Sequence, residues 1–319
     1  MDRRQVIPAE LRYTFLQFEK DFPTDDACLE QIKEQRFPGG VKVCHKCEKP
    51  RKHYRVKGRT AYACETCGNH IYPLAGTIFE KSSTALRIWF HAMYLMGSTR
   101  CGISAKQIQR ETGVTYKTAW RMFTQIRKLM GEELRLGGAG TPGVEVDEMY
   151  HGGRRKGEAG RMLRGNKGRN TVVMGVVERK GRIVARVSPA TMNAANSLVK
   201  EFVLPETLIY TDESVIYGAV PHLESMGYEH KRINHSQKIY VMGDVHTNTI
   251  EGFWSLVKRG IGGVYHSVSA KYLQGYLDEY SFRYNRRDSG NLVFASLLAR
   301  VGEMASHKPV SEEKKNLTL

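Results

Sequence analysis

The stretch HTNTIEGFWSLVKR, residues 246–259, combines an apolar stripe with a row of polar side chains at the same period. Its large apolar residues recur at the spacing of an α-helix: Ile250, Phe253, Trp254 and Val257, continued by Ile261. A polar row follows the same period on another face: Asn248, Glu251, Ser255 and Lys258. The pattern predicts a helix anchored in a core, with a carboxylate and a lysine about two turns apart on its exposed edge.

Two further acids end apolar runs that are typical of strands. Asp147 closes the run VEVD at 144–147, and Asp212 closes the run LIYTD at 208–212. Phosphodiester chemistry that uses two metal ions needs carboxylates on rigid elements, because Mg²⁺ prefers near-octahedral oxygen ligands. We therefore predict that Asp147, Asp212 and Glu251 form one site for magnesium or manganese ions.

Spacing alone does not determine which acids form this site. Four other acids are close rivals: Glu145, on the same strand face as Asp147, and Glu148, Glu213 and Asp244. An aspartate that ends a strand is often only the start of a turn. Glu251 could instead be the third-position partner of an Asn248 helix cap.

The charge of the chain indicates its class of partner. The 319 residues carry a formal net charge of +16, and the pI is about 9.6. Such an excess favours a polyanion or an anionic membrane surface as partner. Because no apolar run approaches the roughly 18–20 residues of a membrane span, and no signal-peptide core follows the N-terminus, we expect a cytoplasmic protein that binds nucleic acid.

The cysteines indicate a metal site rather than disulfides. Four of the six form two Cys-x-x-Cys pairs: Cys44, Cys47, Cys64 and Cys67. In a chain without an export signal this spacing is typical of zinc, and a four-cysteine site is structural because it leaves no open position. The basic run 49–59 between the pairs fits either a DNA-contacting zinc ribbon or a zinc-stapled module with a solvated loop.

Residues 104–122 predict a helix-turn-helix. A short helix, a turn at Gly113 and a second helix opening at Thr115 or Tyr116 match its spacing. Lys117 and Arg121 would project from the second helix towards a groove or phosphates. Many helical hairpins share this pattern without touching DNA, so the basic charge of the chain is what favours DNA binding here.

The rest of the chain predicts an α/β domain. Gly131 to Gly143 is expected to be a linker. Strands are predicted at 144–150, 171–178, 182–188 and 208–212, and helices at 193–202, around Glu251 and at 272–287. This order is expected of a ribonuclease-H-like mixed sheet with flanking helices, although order alone does not exclude other α/β folds. The glycine-rich basic loop 151–169, which contains Arg154 and Arg155, could follow a phosphate backbone.

The three acids, with Lys258 seven residues after Glu251, resemble the DDE transposase pattern. Four blocks are similar to a compact group of bacterial insertion-sequence transposases with an N-terminal zinc ribbon: 144–148, 210–212, 246–254 and 282–287. The resemblance implies that Asp147, Asp212 and Glu251 are the metal ligands and that Lys258 contacts DNA at the end of the element. Arg259 and Arg286 are further candidates for DNA binding. Some relatives carry asparagine in the third place, which makes Asn248 the runner-up ligand.

The residue patterns, together with the resemblance, predict a domain order. We expect a helical lead-in (1–40), a zinc ribbon (41–80), a helix-turn-helix module (81–135), a ribonuclease-H-like catalytic domain (144–305) and a polar tail (306–319). Such an enzyme cleaves DNA at inverted-repeat ends and transfers the 3′-hydroxyl into target DNA, as a homodimer or larger assembly. The alternatives are a non-catalytic zinc-containing DNA-binding regulator and a related metal-dependent nuclease.

Overall fold

A computed structural model describes residues 13–99, 101–152, 171–212, 214–218, 227–232, 247–288 and 293–306. The chain forms two compact units. The first contains Met1–Leu129 and Asp288–Leu319, and the second contains Met130–Arg287. Four residues of the predicted sites lie outside the described residues: Arg154, Arg155, Glu213 and Asp244.

The elements follow one another in two groups. Residues up to 130 form α1 (Phe15–Asp21), α2 (Asp25–Arg36), β1 (His53–Arg55), β2 (Tyr62–Cys64), β3 (His70–Ile71), α3 (Leu86–Ser98), α4 (Ala105–Thr112) and α5 (Tyr116–Met130). The rest forms β4 (Val144–His151), β5 (Thr171–Glu178), β6 (Ile183–Val187), α6 (Met192–Phe202), β7 (Leu208–Thr211), β8 (Glu229–Arg232), α7 (Asn248–Gly260), α8 (Ala270–Asn285) and α9 (Val293–Ser306). Within the described part of the chain, no helix is long and apolar enough to cross a membrane.

The two helices and the turn predicted from residues 104–122 are present in the first unit. The hydroxyl of Ser104 accepts a hydrogen bond from the Gln107 N–H (3.1 Å) and so caps α4. The helix ends at Gly113, whose φ of 72° lies in the left-handed region that glycine adopts without a side-chain clash. α5 begins three residues later, at Tyr116.

The C-terminal helix belongs to the first unit. α9 packs against α2 and α3, and the Phe294 ring contacts the rings of Phe18, Phe22 and Phe90. The predicted catalytic domain extended to residue 305, whereas the structure places α9 with the N-terminal helices. The physical reason is its apolar face, which is buried in their core.

The second unit is built on a mixed sheet, as the sequence predicted. Its strand order is β6-β5-β4-β7-β8. β4 and β6 run antiparallel to β5, while β7 runs parallel to both β4 and β8. This mixed five-stranded sheet with helices on both faces has the arrangement expected of a ribonuclease-H-like fold.

Side chains of β4 alternate between the two faces of the sheet, and each face packs against a separate core. Val144 and Val146 face a core that contains α6, while Met149 faces the core formed by α7 and α8. Odd-numbered positions of β4 therefore point towards α7. Asp147 is one of them, so the strand period aims its carboxylate at the face that carries the Glu251 helix.

The predicted linker is partly integrated into the second unit. Leu136 is fully buried and joins the core around α6. Its backbone N–H donates to Phe202 (2.8 Å), and its carbonyl accepts from Leu204 (2.8 Å). The prediction of a linker over 131–143 is therefore wrong at Leu136, because its apolar side chain is buried in the core around α6.

Candidate functional site

Two of the predicted acids lie on neighbouring parallel strands. Val144 pairs with Ile209 and Glu145 pairs with Tyr210. Two residues further along the same register, Asp147 and Asp212 stand at equivalent positions, where β7 has just ended. Parallel neighbours are about 4.8 Å apart in the hydrogen-bonding direction. The sheet therefore brings these two carboxylates to one place.

The electrostatics of Asp147 reflect this crowding. Burial, followed by the nearby carboxylates of Glu148 and Asp212, raises the pKa of its carboxyl to about 7. The indole Nε1–H of Trp254 donates to Asp147 Oδ2 (3.0 Å) and partly offsets the effect. Partly buried carboxylates that repel one another form a natural site for a divalent cation, because a cation favours their charged forms.

Local hydrogen bonds fix the neighbours of Asp147. The Ser214 backbone N–H donates to Asp212 Oδ1 (2.9 Å) and holds that carboxylate in a turn after β7. In the same turn, the buried Tyr217 hydroxyl donates to Glu148 Oε2 (2.6 Å). Because Glu148 and Asp147 are adjacent on β4, their side chains point to opposite faces. Glu148 is thus turned towards the α6 core.

Glu251 lies on the first turn of α7 and is exposed. The Thr247 hydroxyl donates to Glu251 Oε1 (3.1 Å). Among the described residues, only the four paired cysteines place three or more potential ligand atoms within 4.8 Å of one another. Glu251, Asp147 and Asp212 are therefore not gathered within that distance. Asn248, the runner-up, is exposed at the start of the same helix.

A glycine lets α7 approach the sheet beside the acids. Gly175 of β5 is the register partner of Asp147. A Cβ atom there would lie 2.7 Å from Trp254 Cη2 and 3.3 Å from Ile250 Cδ1. The missing side chain leaves room for the indole that donates to Asp147, so the packing of α7 and the orientation of Asp147 are linked.

We expect the substitution Asp147→Asn to stabilise the protein near pH 8 when no divalent ion is added. An unfolded aspartate has a pKa near 3.9, against about 7 in the folded chain. The folded form therefore keeps a proton that the unfolded form has lost, and its stability falls as the pH rises from about 4 to 7. Asparagine removes the charge and can still accept from Trp254.

Thermal melts at pH 5 and pH 8 test this prediction. The variant should melt about 2–8 °C above the wild type at pH 8, with a smaller difference at pH 5. Added Mg²⁺ should raise the melting temperature of the wild type more than that of the variant. The exposed Asp288→Asn is the matched control. A variant less stable than the wild type at pH 8 would show that burial of the Asp147 charge is not destabilising.

The four paired cysteines converge in the first unit. The Sγ atoms of Cys44 and Cys67 are 3.7 Å apart, those of Cys47 and Cys64 are 4.0 Å apart, and all four lie within 4.8 Å of one another. Zinc held tetrahedrally by Zn–S bonds of about 2.3 Å separates its sulfurs by about 3.8 Å. The donor set and its spacing therefore fit a structural zinc ion.

Each cysteine pair sits in a tight turn. The Glu48 N–H donates to the Cys44 carbonyl (2.8 Å), and the Gly68 N–H donates to the Cys64 carbonyl (3.0 Å). Both turning residues have positive φ, 54° at Glu48 and 67° at Gly68. Hydrogen bonds from the Cys47 backbone lower the pKa of the Cys44 thiol to about 6, which favours the thiolate that zinc requires.

The ribbon is joined to α2 by side-chain contacts. Arg55 on β1 pairs with Asp26 (2.7 Å), and the Tyr62 hydroxyl donates to Glu30 (2.6 Å). Several of the exposed side chains on the ribbon are basic or aromatic, and they outnumber the exposed acids Glu48 and Glu65: Lys49, Lys52, Tyr54, Lys57 and Arg59. The ribbon therefore presents a cationic surface with an exposed ring.

The predicted DNA-binding residues have different surroundings. Lys117 and Arg121 on α5, and Lys258 and Arg259 on α7, are exposed. Arg286 forms an ion pair with Glu132 (2.7 Å) and stacks on the Phe282 ring (3.6 Å). These contacts favour a structural role for Arg286.

The sequence reasoning missed residues that support the acids. It assigned Trp254 only to the buried face of α7, and it treated Glu145 as a rival ligand. Glu145 is fully buried, and its oxygens accept hydrogen bonds from the start of α7. A strand position with an acid between two buried valines was the available signal, since a buried charge requires partners.

Comparisons with known proteins found one family match in each of the two units. Residues 136–285 match the ISXO2-like transposase domain, and residues 23–70 match the transposase zinc-ribbon domain. The chain is 29% identical over 282 residues to an uncharacterized protein in transposable element ISH50 of Halobacterium salinarum, covering 83% of this chain and 92% of that protein. No solved structure matches the chain.

Proposed function

This chain belongs to the insertion-sequence transposases that carry a zinc ribbon before an ISXO2-like transposase domain, and we propose that it cuts DNA at the inverted-repeat ends of its element and joins the freed 3′-hydroxyl to target DNA. The observation that carries this proposal is the parallel register of β4 and β7. It supports a site in which Asp147 and Asp212 act together.

The acids have the chemistry of a divalent-metal site. Asp147 and Asp212, with Glu251 from α7 as the third ligand, would hold Mg²⁺ or Mn²⁺, two ions per site in the full mechanism. Bound ions would stabilise charge on the attacking and leaving oxygens of the phosphodiester. Asn248 remains the runner-up, although a carboxylate is the better ligand for Mg²⁺.

The protein's own groups orient these ligands. The Trp254 indole N–H fixes one oxygen of Asp147, and the Ser214 N–H fixes one oxygen of Asp212. The other carboxylate oxygens are then available to face a metal. Glu251 would complete the site from the first turn of α7, where its carboxylate accepts a hydrogen bond from the Thr247 hydroxyl.

Exposed basic residues in both units would bind DNA. Lys117 and Arg121 are exposed on the second helix of the helix-turn-helix, and the ribbon also carries exposed basic side chains. Lys258 and Arg259 extend α7 beyond Glu251 and are suited to hold a phosphate near the acids. Because two element ends must be joined in one event, we expect a homodimer or larger assembly on DNA.

A strand-transfer assay tests the proposal. Labelled inverted-repeat DNA and a target plasmid are incubated with the protein in Mg²⁺, in Mn²⁺, or without added divalent ion. A chelator is avoided because it would also remove zinc. Wild-type protein should form joint products only with a divalent ion, and Asp212→Ala should abolish them while end binding is retained.

Matched variants sharpen the result. Glu229→Ala removes an exposed carboxylate from the neighbouring strand β8 and should leave joining intact. Loss of joints in Glu251→Gln but not in Asn248→Ala would assign the third ligand to Glu251, and the reverse would assign it to Asn248. Cut DNA without joints would indicate a nuclease, and end binding without cleavage would favour a regulator.

A further inference from the structure

Glu145 is a buried charge next to the proposed catalytic acids. It lies on β4 two residues before Asp147, on the same strand face, and its side chain is 0% exposed. A carboxylate in such a place is costly unless it is paired and hydrogen-bonded. Its partners therefore show why the fold tolerates it.

The first set of partners is the N-terminus of α7. Glu145 Oε2 accepts from the backbone N–H groups of Thr249 (2.9 Å) and Ile250 (3.0 Å), and Oε1 accepts from the Thr249 hydroxyl (2.9 Å). These N–H groups have no partner within a helix, and the N-cap residue Thr247 makes no side-chain cap bond. A carboxylate from a distant strand thus supplies the cap and complements the helix dipole.

The second partner links Glu145 to β7. Arg179 Nε lies 3.1 Å from Glu145 Oε1, and the Arg179 side chain is 10% exposed. The same guanidinium stacks on the ring of Tyr210 at 3.6 Å. Tyr210 is the register partner of Glu145 and lies two residues before Asp212.

One buried ion pair therefore touches β4, which carries Asp147, β7, which leads directly into Asp212, and α7, which carries Glu251. We propose that Glu145, paired with Arg179, is a positioning residue that holds the start of α7 in register with the two aspartates. This inference rests on the proposed function for its catalytic consequence. Its structural part concerns the start of α7 and can be measured separately.

The substitution Glu145→Gln tests the proposal because it is nearly isosteric. The carboxamide has one acceptor and one donor end. Whichever way it turns, its NH₂ group faces either the N–H groups of α7 or the Arg179 guanidinium. In either orientation one N–H donor faces another N–H donor, and the hydrogen bonds that hold the start of α7 are weakened.

We expect three results for Glu145→Gln. Amide hydrogen exchange at Thr249 and Ile250 should rise by at least about tenfold. The Mn²⁺ concentration for half-maximal binding should increase by about 10–100-fold, and joining should fall by a similar factor, which is the range for loss of an outer-shell residue that orients metal ligands. Binding to inverted-repeat DNA should be unchanged.

The chain offers a matched control on α8. Glu279 is also 0% exposed, and its Oε1 pairs with Arg283 (2.6 Å). Glu279→Gln therefore removes a buried charge of the same kind from the same unit without touching the acids. It should lower thermal stability without changing Mn²⁺ dependence or exchange at Thr249. A milder variant, Thr249→Val, removes only the hydroxyl donor. It should shift hydrogen exchange and Mn²⁺ dependence in the same direction as Glu145→Gln. Thr249→Val therefore replaces Glu145→Gln as the test if Glu145→Gln does not fold.

Two outcomes would overturn the proposal. In the first, Glu145→Gln keeps wild-type values of Mn²⁺ dependence and of hydrogen exchange at Thr249 and Ile250. If Glu145→Gln does not fold, the same result in Thr249→Val has this meaning. In the second, Glu279→Gln shifts them equally. Wild-type protein that makes no joint products, while exchange and Mn²⁺ binding respond as expected, would instead count against the proposed transposition chemistry. The two failures are therefore distinguishable.

Discussion

A chain that ends after Arg287 is expected to lose the fold of its first unit and, with it, binding to inverted-repeat DNA. This truncation removes α9, whose buried apolar side chains complete the core of α2 and α3: Val293, Phe294, Leu297, Leu298 and Val301. Burial of each such side chain contributes about 1.5–3 kcal/mol. Their sum is on the order of 10 kcal/mol, comparable to the whole stability of a domain.

The backbone of α9 passes close to the backbones of α2 and α3. A Cβ atom at Gly97 of α3 would lie 3.1 Å from the Phe294 N, and one at Gly302 of α9 would lie 2.5 Å from the Gln35 carbonyl oxygen of α2. Backbones this near leave no room for rearranged side chains. Other parts of the unit cannot fill the space that α9 vacates without moving the helices themselves.

Circular dichroism and hydrogen exchange over α2 and α3 measure the loss, and a gel-shift assay measures end binding. A chain ending after Ser306 keeps α9 and is the control. Phe294→Ala gives a graded test, with an expected cost of about 3–5 kcal/mol. Wild-type exchange in α2 and α3 after truncation at Arg287 would show that the unit folds without its C-terminal helix.

Removal of zinc is expected to unfold the ribbon and leave the second unit folded. The hairpin β1–β2 and the two-residue strand β3 are too short to be stable by themselves. Structural zinc contributes about 10–16 kcal/mol of apparent binding free energy in small modules. Cys64→Ser breaks the four-sulfur set and should release zinc, with loss of the Arg55 and Tyr62 contacts to α2.

Metal analysis and residue-resolved hydrogen exchange test this prediction. Zinc content should fall from one per chain to near zero in Cys64→Ser, and protection should disappear over β1–β3 while it persists over β4–β6. Cys101→Ser is the matched control, because Cys101 is an exposed cysteine outside the cluster. A full complement of zinc in Cys64→Ser would mean that another residue replaces the fourth sulfur.

Elements with strong local patterns were predictable. Strand β5 was expected at 171–178 and spans Thr171–Glu178, because a run of buried apolar residues bounded by polar ones is typical of a central strand. Strand β8 was not predicted. Its sequence, Glu-His-Lys-Arg, is polar, and it lies at the edge of the sheet, where it pairs with β7.

The sequence proposed the members of the site, but it did not indicate the residues that support them. The carboxylates followed from apolar runs that end in acids and from the two-faced pattern around Glu251. The role of Glu145 did not follow, since its partners on α7 are 104 and 105 residues away. The spacing of Glu251 from the two aspartates likewise depends on how α7 packs over Gly175.

By itself the sequence determined the zinc-binding cysteines, the helix-turn-helix, and most strands and helices of the α/β unit. It could do so because cysteine spacing, helix periodicity and strand alternation act within a few residues of one another. Only the tertiary structure decided that α9 completes the N-terminal unit, that Leu136 is core rather than linker, and that Glu145 caps α7. These outcomes depend on shape and charge complementarity between distant segments, which exists only once the chain has folded.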